Sequence, residues 1–186
     1  MVAWYGAMLP AALVEEAMSI RAELDFLGVN YYTRRIVGAG SDGLLAVRAS
    51  IPASAARTAM GWEVYPGGLR QVLTRVHRDY GVDSLIVTEN GASYTDIPDG
   101  TTHIEDPERR AYLAAHLSAT ADAIAVGAPI DGYFVWALLD NFEWAQGYSQ
   151  RFGLIYVDYP SRRRVVKASG LWYRDLIAAT AKAPSR

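Results

Sequence analysis

The sequence predicts an α/β fold built from parallel βα units. Three observations predict it. Runs rich in apolar and β-branched residues, "LDFLGVNYYT" at 24–33, "SLIVT" at 84–88 and "IDGYFVWALL" at 130–139, read as strands. Stretches of helical spacing, each opened by proline or a small polar residue, follow those strands. The strands are near-continuous in apolar residues rather than alternating, as strands covered on both faces are. Alternation of strand and helix then points to a parallel sheet.

Each element has its own signal. Pro10 opens "PAALVEEAMSIRA"; proline suits a first helical position because its missing N–H would find no partner there. The strand at 24–33 is followed by "RRIVGAGSDGLLAVRA", which reads as a hairpin turning between Gly38 and Gly43. "SIPASAART" is a polar, small-residue loop. From Pro66 to Tyr80, Leu69, Val72, Leu73, Val76 and Tyr80 recur at helical spacing, and Gly81 suits a left-handed C-terminal position. The strand at 84–88 runs into Glu89 and a long loop. Pro107 leads the next helix, which ends at Gly127. After the strand at 130–139 comes "DNFEWAQGYSQR", a loop mixing polar and aromatic residues. "FGLIYVDY" and "RRVVK" read as a hairpin around Pro160 and Ser161, and Ser169 is placed to cap "GLWYRDLIAAT". Residues 1–186 are expected to form one domain, a length that allows a substantial core.

Composition narrows the function. Acids number 20 and bases 18, so there is no basic excess for a nucleic-acid partner. There are no cysteines, hence no disulfides or thiolate metal sites, which fits a reducing, cytoplasmic setting. No apolar run reaches the roughly 18 residues of a membrane span. "MVAWYGAMLP" lacks the basic-then-apolar order of a secretory signal. His77, His103 and His116 have no metal-binding spacing, and "GAGSDG" lacks the phosphate-loop pattern, so no metal or cofactor is expected. His77 and His116 fall in helices and read as surface or satisfied residues. The run Arg162, Arg163, Arg164 reads as solvated.

In parallel sheets, functional groups collect at the carboxyl ends of the strands. Three such ends here carry polar or aromatic side chains. They are Asn30 and Tyr32 after the first strand, Glu89 after the second, and Trp136 and Glu143 at and beyond the third. A carboxylate mounted on a strand end is rigidly held, as a nucleophile must be. A hydrogen bond from the Tyr32 phenol would orient it. Taken singly, Glu89 reads equally well as an acid capping the next turn, and Tyr32 as a core tyrosine. Trp62, Trp136 and Trp144 lie in loops or at strand ends. Indole offers a face for the C–H side of a sugar ring and an N–H for a hydroxyl. Glu143 beside Trp144 strengthens that reading, because one carboxylate can accept from two hydroxyls of one ring.

Five fragments, in order, carry a family resemblance: "LDFLGVNYYTR", "MGWEVYPGGL", "LIVTENGASYTD", "DGYFVWALLDNFEWAQGYSQRFGLIYVDY" and "KASGLWYRDLI". Together they resemble glycoside hydrolase family 1, the retaining β-glucosidases and related β-glycosidases. The resemblance implies parallel βα units forming the C-terminal part, about strands six to eight, of a (β/α)8 TIM barrel. It implies Glu89 as nucleophile, Tyr32 as its hydrogen-bond partner and Asn30 nearby. It further implies Trp136 as the floor under the sugar, Glu143 and Trp144 as binders of its hydroxyls, and Phe152 as a wall of the same pocket. Trp62 falls on the leaving-group side. The expected substrates are β-glucosides or related small oligosaccharides.

One family feature is absent. The acid/base glutamate belongs to an "NEP" motif, and "NEP" does not occur in this sequence. Retaining hydrolysis needs a second carboxyl group about 5 Å from the nucleophile. The chain alone is therefore expected to turn over little or no substrate, and to self-associate or pair with a complementing N-terminal barrel segment. The alternative is a non-catalytic sugar-binding or assembly fragment.

Overall fold

The structure is a computed structural model that describes residues 22–41, 46–96 and 103–180, with Leu13, Glu16 and Ser19 as isolated helical positions. Most of the helix expected from Pro10, and the tip of the hairpin expected after Gly40, lie outside the described residues. The hairpin arms are strands β1's immediate successors: β1 spans Leu27–Asn30, β2 Ile36–Ala39 and β3 Val47–Ser50, with β2 and β3 antiparallel. There follow helix α1 (Pro66–Tyr80), β4 (Leu85–Asn90), α2 (Pro107–Ala125), β5 (Ile130–Val135), β6 (Ile155–Val157), β7 (Arg164–Val166) and α3 (Ala168–Thr180).

The central sheet has the order β1-β4-β5, and both pairings are parallel. Parallel neighbours need a crossover, and α1 and α2 supply the two crossovers. Leu69 and Leu73 of α1 pack on Val29, Leu85 and Val87 of the sheet, with Ala123 of α2. The α1 stripe is the one its spacing predicts. Its C-terminus is closed by Gly81, whose φ of 62° is left-handed and whose N–H donates to the His77 carbonyl at 2.9 Å.

Only one sheet face is covered in this way among the described residues. Gly28 and Phe134 on the sheet are exposed, the latter by 60 %, and Ile86 is half-buried. The expectation of strands covered on both faces is thus corrected. The apolar runs do form strands, but the described helices reach only one side of them.

Three further differences are local. The first strand is only Leu27–Asn30, although the Tyr31 N–H still donates to the Glu89 carbonyl at 2.9 Å. The second strand continues past Thr88 to Asn90. It does so through a bulge: Val29 pairs with Val87, but Asn30 pairs with Glu89, leaving one extra residue in β4. Ser169 does not cap α3 from outside, since the helix begins at Ala168. Its N–H instead donates to Asp106 Oδ1 at 2.8 Å, and its hydroxyl donates to Asp106 Oδ2. A carboxylate from the start of α2 thereby satisfies a first-turn donor of α3.

Candidate functional site

The bulge in β4 decides which way Glu89 points. Leu85, Val87 and Asn90 are buried toward the helices, while Ile86, Thr88 and Glu89 are half-buried. Strict alternation would have sent Glu89 to the same side as Val87. The extra residue breaks that alternation and puts Thr88 and Glu89 in succession toward the opposite side. Thr88 donates to Asn30 Oδ1 at 2.6 Å, tying the bulge to the neighbouring strand end.

Glu89 Oε2 accepts a hydrogen bond of 2.6 Å from the Tyr32 hydroxyl. Burial, and next the bond to Glu89, push the Tyr32 hydroxyl far above its ordinary range. The charges of Glu89 and Glu143 act in the same direction. Tyr32 therefore remains a donor at any working pH. Its ring stands edge-on to Trp62, with centroids 5.5 Å apart, and to Phe152 at 6.2 Å. Trp62 and Phe152 are themselves 6.1 Å apart, completing an aromatic triangle beside the carboxylate.

Glu143 is half-buried, and its Oε2 is buried with no hydrogen-bond partner. A buried carboxylate oxygen without a donor costs on the order of 1–3 kcal/mol or more. Such an atom is a receptor for a donor that arrives from outside. Trp136 is half-buried at the end of β5, and its peptide bond to Ala137 is cis. Trp144 is 80 % exposed at the start of a single 3-10 turn over Trp144–Gln146. The fold thus gathers Glu89, Trp62 and Phe152 around Tyr32, with Asn30 bonded to the same strand end. Glu143 is close enough for its charge to be felt at Tyr32. Trp144 enters no ring contact with this group.

Asn90 and Gly91 hold the strand end, and the sequence reading missed both roles. Asn90 is fully buried; its Nδ2 donates to the Tyr31 carbonyl at 2.6 Å and to the Tyr112 hydroxyl at 3.2 Å. Its Oδ1 accepts from the Tyr133 hydroxyl, and its carbonyl accepts from the Trp136 N–H at 3.0 Å. Tyr112 in turn donates to the Tyr32 carbonyl at 3.0 Å. One amide thereby locks the ends of all three strands around the carboxylate. Gly91 lies against the Trp136 carbonyl, where any Cβ would overlap that oxygen. The Asn-Gly pair directly after the acid was the available signal.

Beneath the site lies a buried ion network. Arg109 donates to Asp96 Oδ1 and Oδ2 at 2.9 and 2.8 Å, and also to Asp106 and the Arg151 carbonyl. Lys167 Nζ bridges Asp96 and Asp140, the latter at 3.0 Å. Asp140 also accepts from Arg151 at 3.2 Å and from the Gly153 N–H at 2.9 Å. Three carboxylates meet three cations, so the network is neutral. Arg151 and Gly153 flank Phe152, which connects the network to the aromatic triangle. Arg162, Arg163 and Arg164 are exposed.

His116 departs from the expectation of a surface or satisfied histidine. It is fully buried on the inner face of α2, stacked on Tyr112 at 3.9 Å. Nδ1 meets the Tyr112 carbonyl at 2.8 Å, and Nε2 has no partner. His77 is satisfied, with Nδ1 2.9 Å from the Val82 carbonyl. Burial pushes the His116 imidazole down from 6.5 to about 4, because a second proton would be a donor with no acceptor. Between those values the unfolded chain takes up a proton that the folded chain refuses. The associated stability is fully present above pH 6.5 and is lost as pH falls toward 4. The loss is about 3 kcal/mol, taking 1.36 kcal/mol per unit. Urea titrations from pH 7 to 4 check this; His116→Phe should show a shallower decline than the unaltered chain.

A parallel α/β sheet thus carries an acid–tyrosine pair at its strand ends, walled by aromatic rings. The chain belongs to glycosyl hydrolase family 1, whose family model matches residues 4–182. Beta-glucosidase A of Thermotoga maritima is 41 % identical over 169 residues, covering 91 % of this chain and 38 % of that protein. Thermostable beta-glucosidase B of Thermobispora bispora is 46 % identical over 168 residues, covering 86 % of this chain and 34 % of that protein. Among solved structures, the Thermotoga maritima family 1 β-glucosidase in complex with isofagomine lactam superposes with a TM-score of 0.87 at 39 % identity. It covers 95 % of this chain, which spans 40 % of that one.

Proposed function

We propose that the chain is the C-terminal part of a (β/α)8-barrel β-glucosidase, contributing about strands six to eight and the nucleophile Glu89. The hydrogen bond from Tyr32 to Glu89 at the carboxyl ends of three parallel strands carries this reading. It fixes one carboxylate oxygen and leaves the group facing a wall of aromatic rings. The unpaired oxygen of Glu143 supports a hydroxyl-bearing ligand, and Trp136, Trp144 and Asn30 are assigned to the same sugar. Phe152 is assigned to the wall and Trp62 to the leaving-group side. In retaining chemistry Glu89 would attack the anomeric carbon and form a glycosyl-enzyme. A second carboxyl group would protonate the leaving oxygen and then deprotonate water.

That second group is assigned to a complementing N-terminal barrel segment. Two observations support a missing cover. The curated relatives extend well beyond the length matched here. An apolar cavity of about 590 Å³ also opens beside β5, between Phe134, Leu138, Val166 and Ile177. Apolar surface of this kind is normally buried against another element.

A 2-fluoro glucoside with an activated leaving group tests the nucleophile, since it needs no acid assistance. The expected result is one covalent adduct, located on Glu89 by mass spectrometry and absent from Glu89→Gln. Tyr32→Phe should slow labelling about 10- to 100-fold, the worth of one hydrogen bond to a charged group. Labelling elsewhere, or none, would overturn the assignment. Hydrolysis of an activated aryl β-glucoside by the chain alone should stay near background. Turnover that disappears in Glu89→Gln would refute the assignment of the acid to another segment.

A further inference from the structure

A second cavity, of about 360 Å³, adjoins the aromatic triangle and shares Trp62 with it. Its other walls come from the stretch after β1 and from the end of β3 with the loop that follows. Arg34, Arg35 and Arg57 all line it, together with Thr33 and Ser50, and no acid does. Arg34 is engaged: it forks onto Glu63 with two bonds of 2.9 Å and lies 3.5 Å over the Tyr65 ring. Among the described residues Arg57 donates only to the Ile51 and Pro52 carbonyls, at 3.5 and 3.3 Å, while its charge also acts on Glu63. Arg35 makes no ion pair among the described residues. With Glu63 counted, the cavity wall carries three positive charges against one negative.

We propose that this cavity receives the leaving group of the substrate and selects one in which an aromatic ring carries a carboxylate. Trp62 supplies a face for the ring. The guanidinium groups of Arg35 and Arg57 are planar donors that match a carboxylate with paired bonds. The volume is that of a small-molecule site. Because Trp62 also touches Tyr32, which bonds Glu89, the cavity adjoins the carboxylate through these two rings. The placement of the sugar rests on the function proposed above; the anion preference rests on the arginines alone.

The test uses three probes on the unaltered chain by isothermal titration at low salt: 4-carboxyphenyl β-D-glucoside, phenyl β-D-glucoside and free 4-hydroxybenzoate. The carboxylated glucoside should bind about tenfold or more tighter than the neutral one, as one charge-assisted pair warrants. That advantage should shrink as salt rises and vanish in Arg35→Gln/Arg57→Gln. Equal affinity for the two glucosides would overturn the proposal and leave the glucosidase reading intact. Binding of 4-hydroxybenzoate that needs both arginines, with neither glucoside bound, would support the cavity and count against the sugar site. Should the double variant fail to fold, Arg35→Gln and the salt dependence decide, and an advantage insensitive to both refutes the proposal.

Discussion

Lys167→Met is expected to destabilise the folded chain by about 3–5 kcal/mol, the usual cost of removing one partner from a buried ion pair. Lys167 is fully buried, and its ammonium group bridges Asp96 and Asp140. Burial and the nearby Arg109 charge push its ionisation below the ordinary lysine range, while the two aspartates oppose that shift. Methionine keeps the volume but removes the charge, so a network of three anions is left facing two cations. Urea denaturation at pH 7 measures the loss. A loss below about 1 kcal/mol would mean that the site is hydrated and the network is not a dry one.

The second large effect is expected at Gly91. A Cβ there would overlap the Trp136 carbonyl oxygen, and both atoms belong to the backbone. No rotamer can relieve the overlap, so β4 and β5 must separate at their carboxyl ends. Gly91→Ala is expected to cost about 3 kcal/mol or more, at the upper end for overpacking. Because the Trp136 N–H bonds Asn90, which also holds Tyr31, Tyr112 and Tyr133, the separation should carry Glu89 away from Tyr32. The 2-fluoro glucoside should then label Gly91→Ala far more slowly than its remaining folded fraction explains. Labelling in proportion to folded protein would show that the Glu89 geometry survives without the close approach.

These two positions also show what the sequence could and could not convey. Helix α1 was legible because proline, a 3–4 apolar spacing and a terminal glycine are local signals that agree. The strand cores at 27–30, 85–88 and 130–135 were legible from their continuous apolar and β-branched runs. The bulge at Thr88 was not, because it is a relation between two strands and leaves no mark in either one. The ion network was hidden by distance, its members standing at 96, 106, 109, 140, 151 and 167. Arg109 and His116 sit on the buried stripe of α2 with Tyr112, Leu113 and Ala123. Hydropathy assigns such residues to the surface, and only the partners across the fold reverse that. Ser169 was misread for a related reason, since a short polar residue near a helix start resembles a cap whether or not a distant carboxylate is present. For the candidate site, Glu89 and Tyr32 were proposed from strand position and motif, and the fold puts them in contact. The same reasoning had no means of knowing that Trp144 stands in solvent or that Asn90 holds the strand ends.

The ion network has a consequence for how the chain comes together in time. Some of its bonds join residues far apart in sequence, 71 positions for Lys167 with Asp96 and 63 for Ser169 with Asp106. A half-assembled set of these charges in a dry interior is worse than none, because each unpaired ion keeps its full dehydration cost. Lys167, just before α3, is therefore expected to lose its water only once Asp96 and Asp140 are in place. Weakening these long-range bonds is expected to speed unfolding more than it slows folding, which the unfolding rate of Lys167→Met would show. The network acts less as a guide to the fold than as a latch on it, setting how long the finished strand ends stay in register.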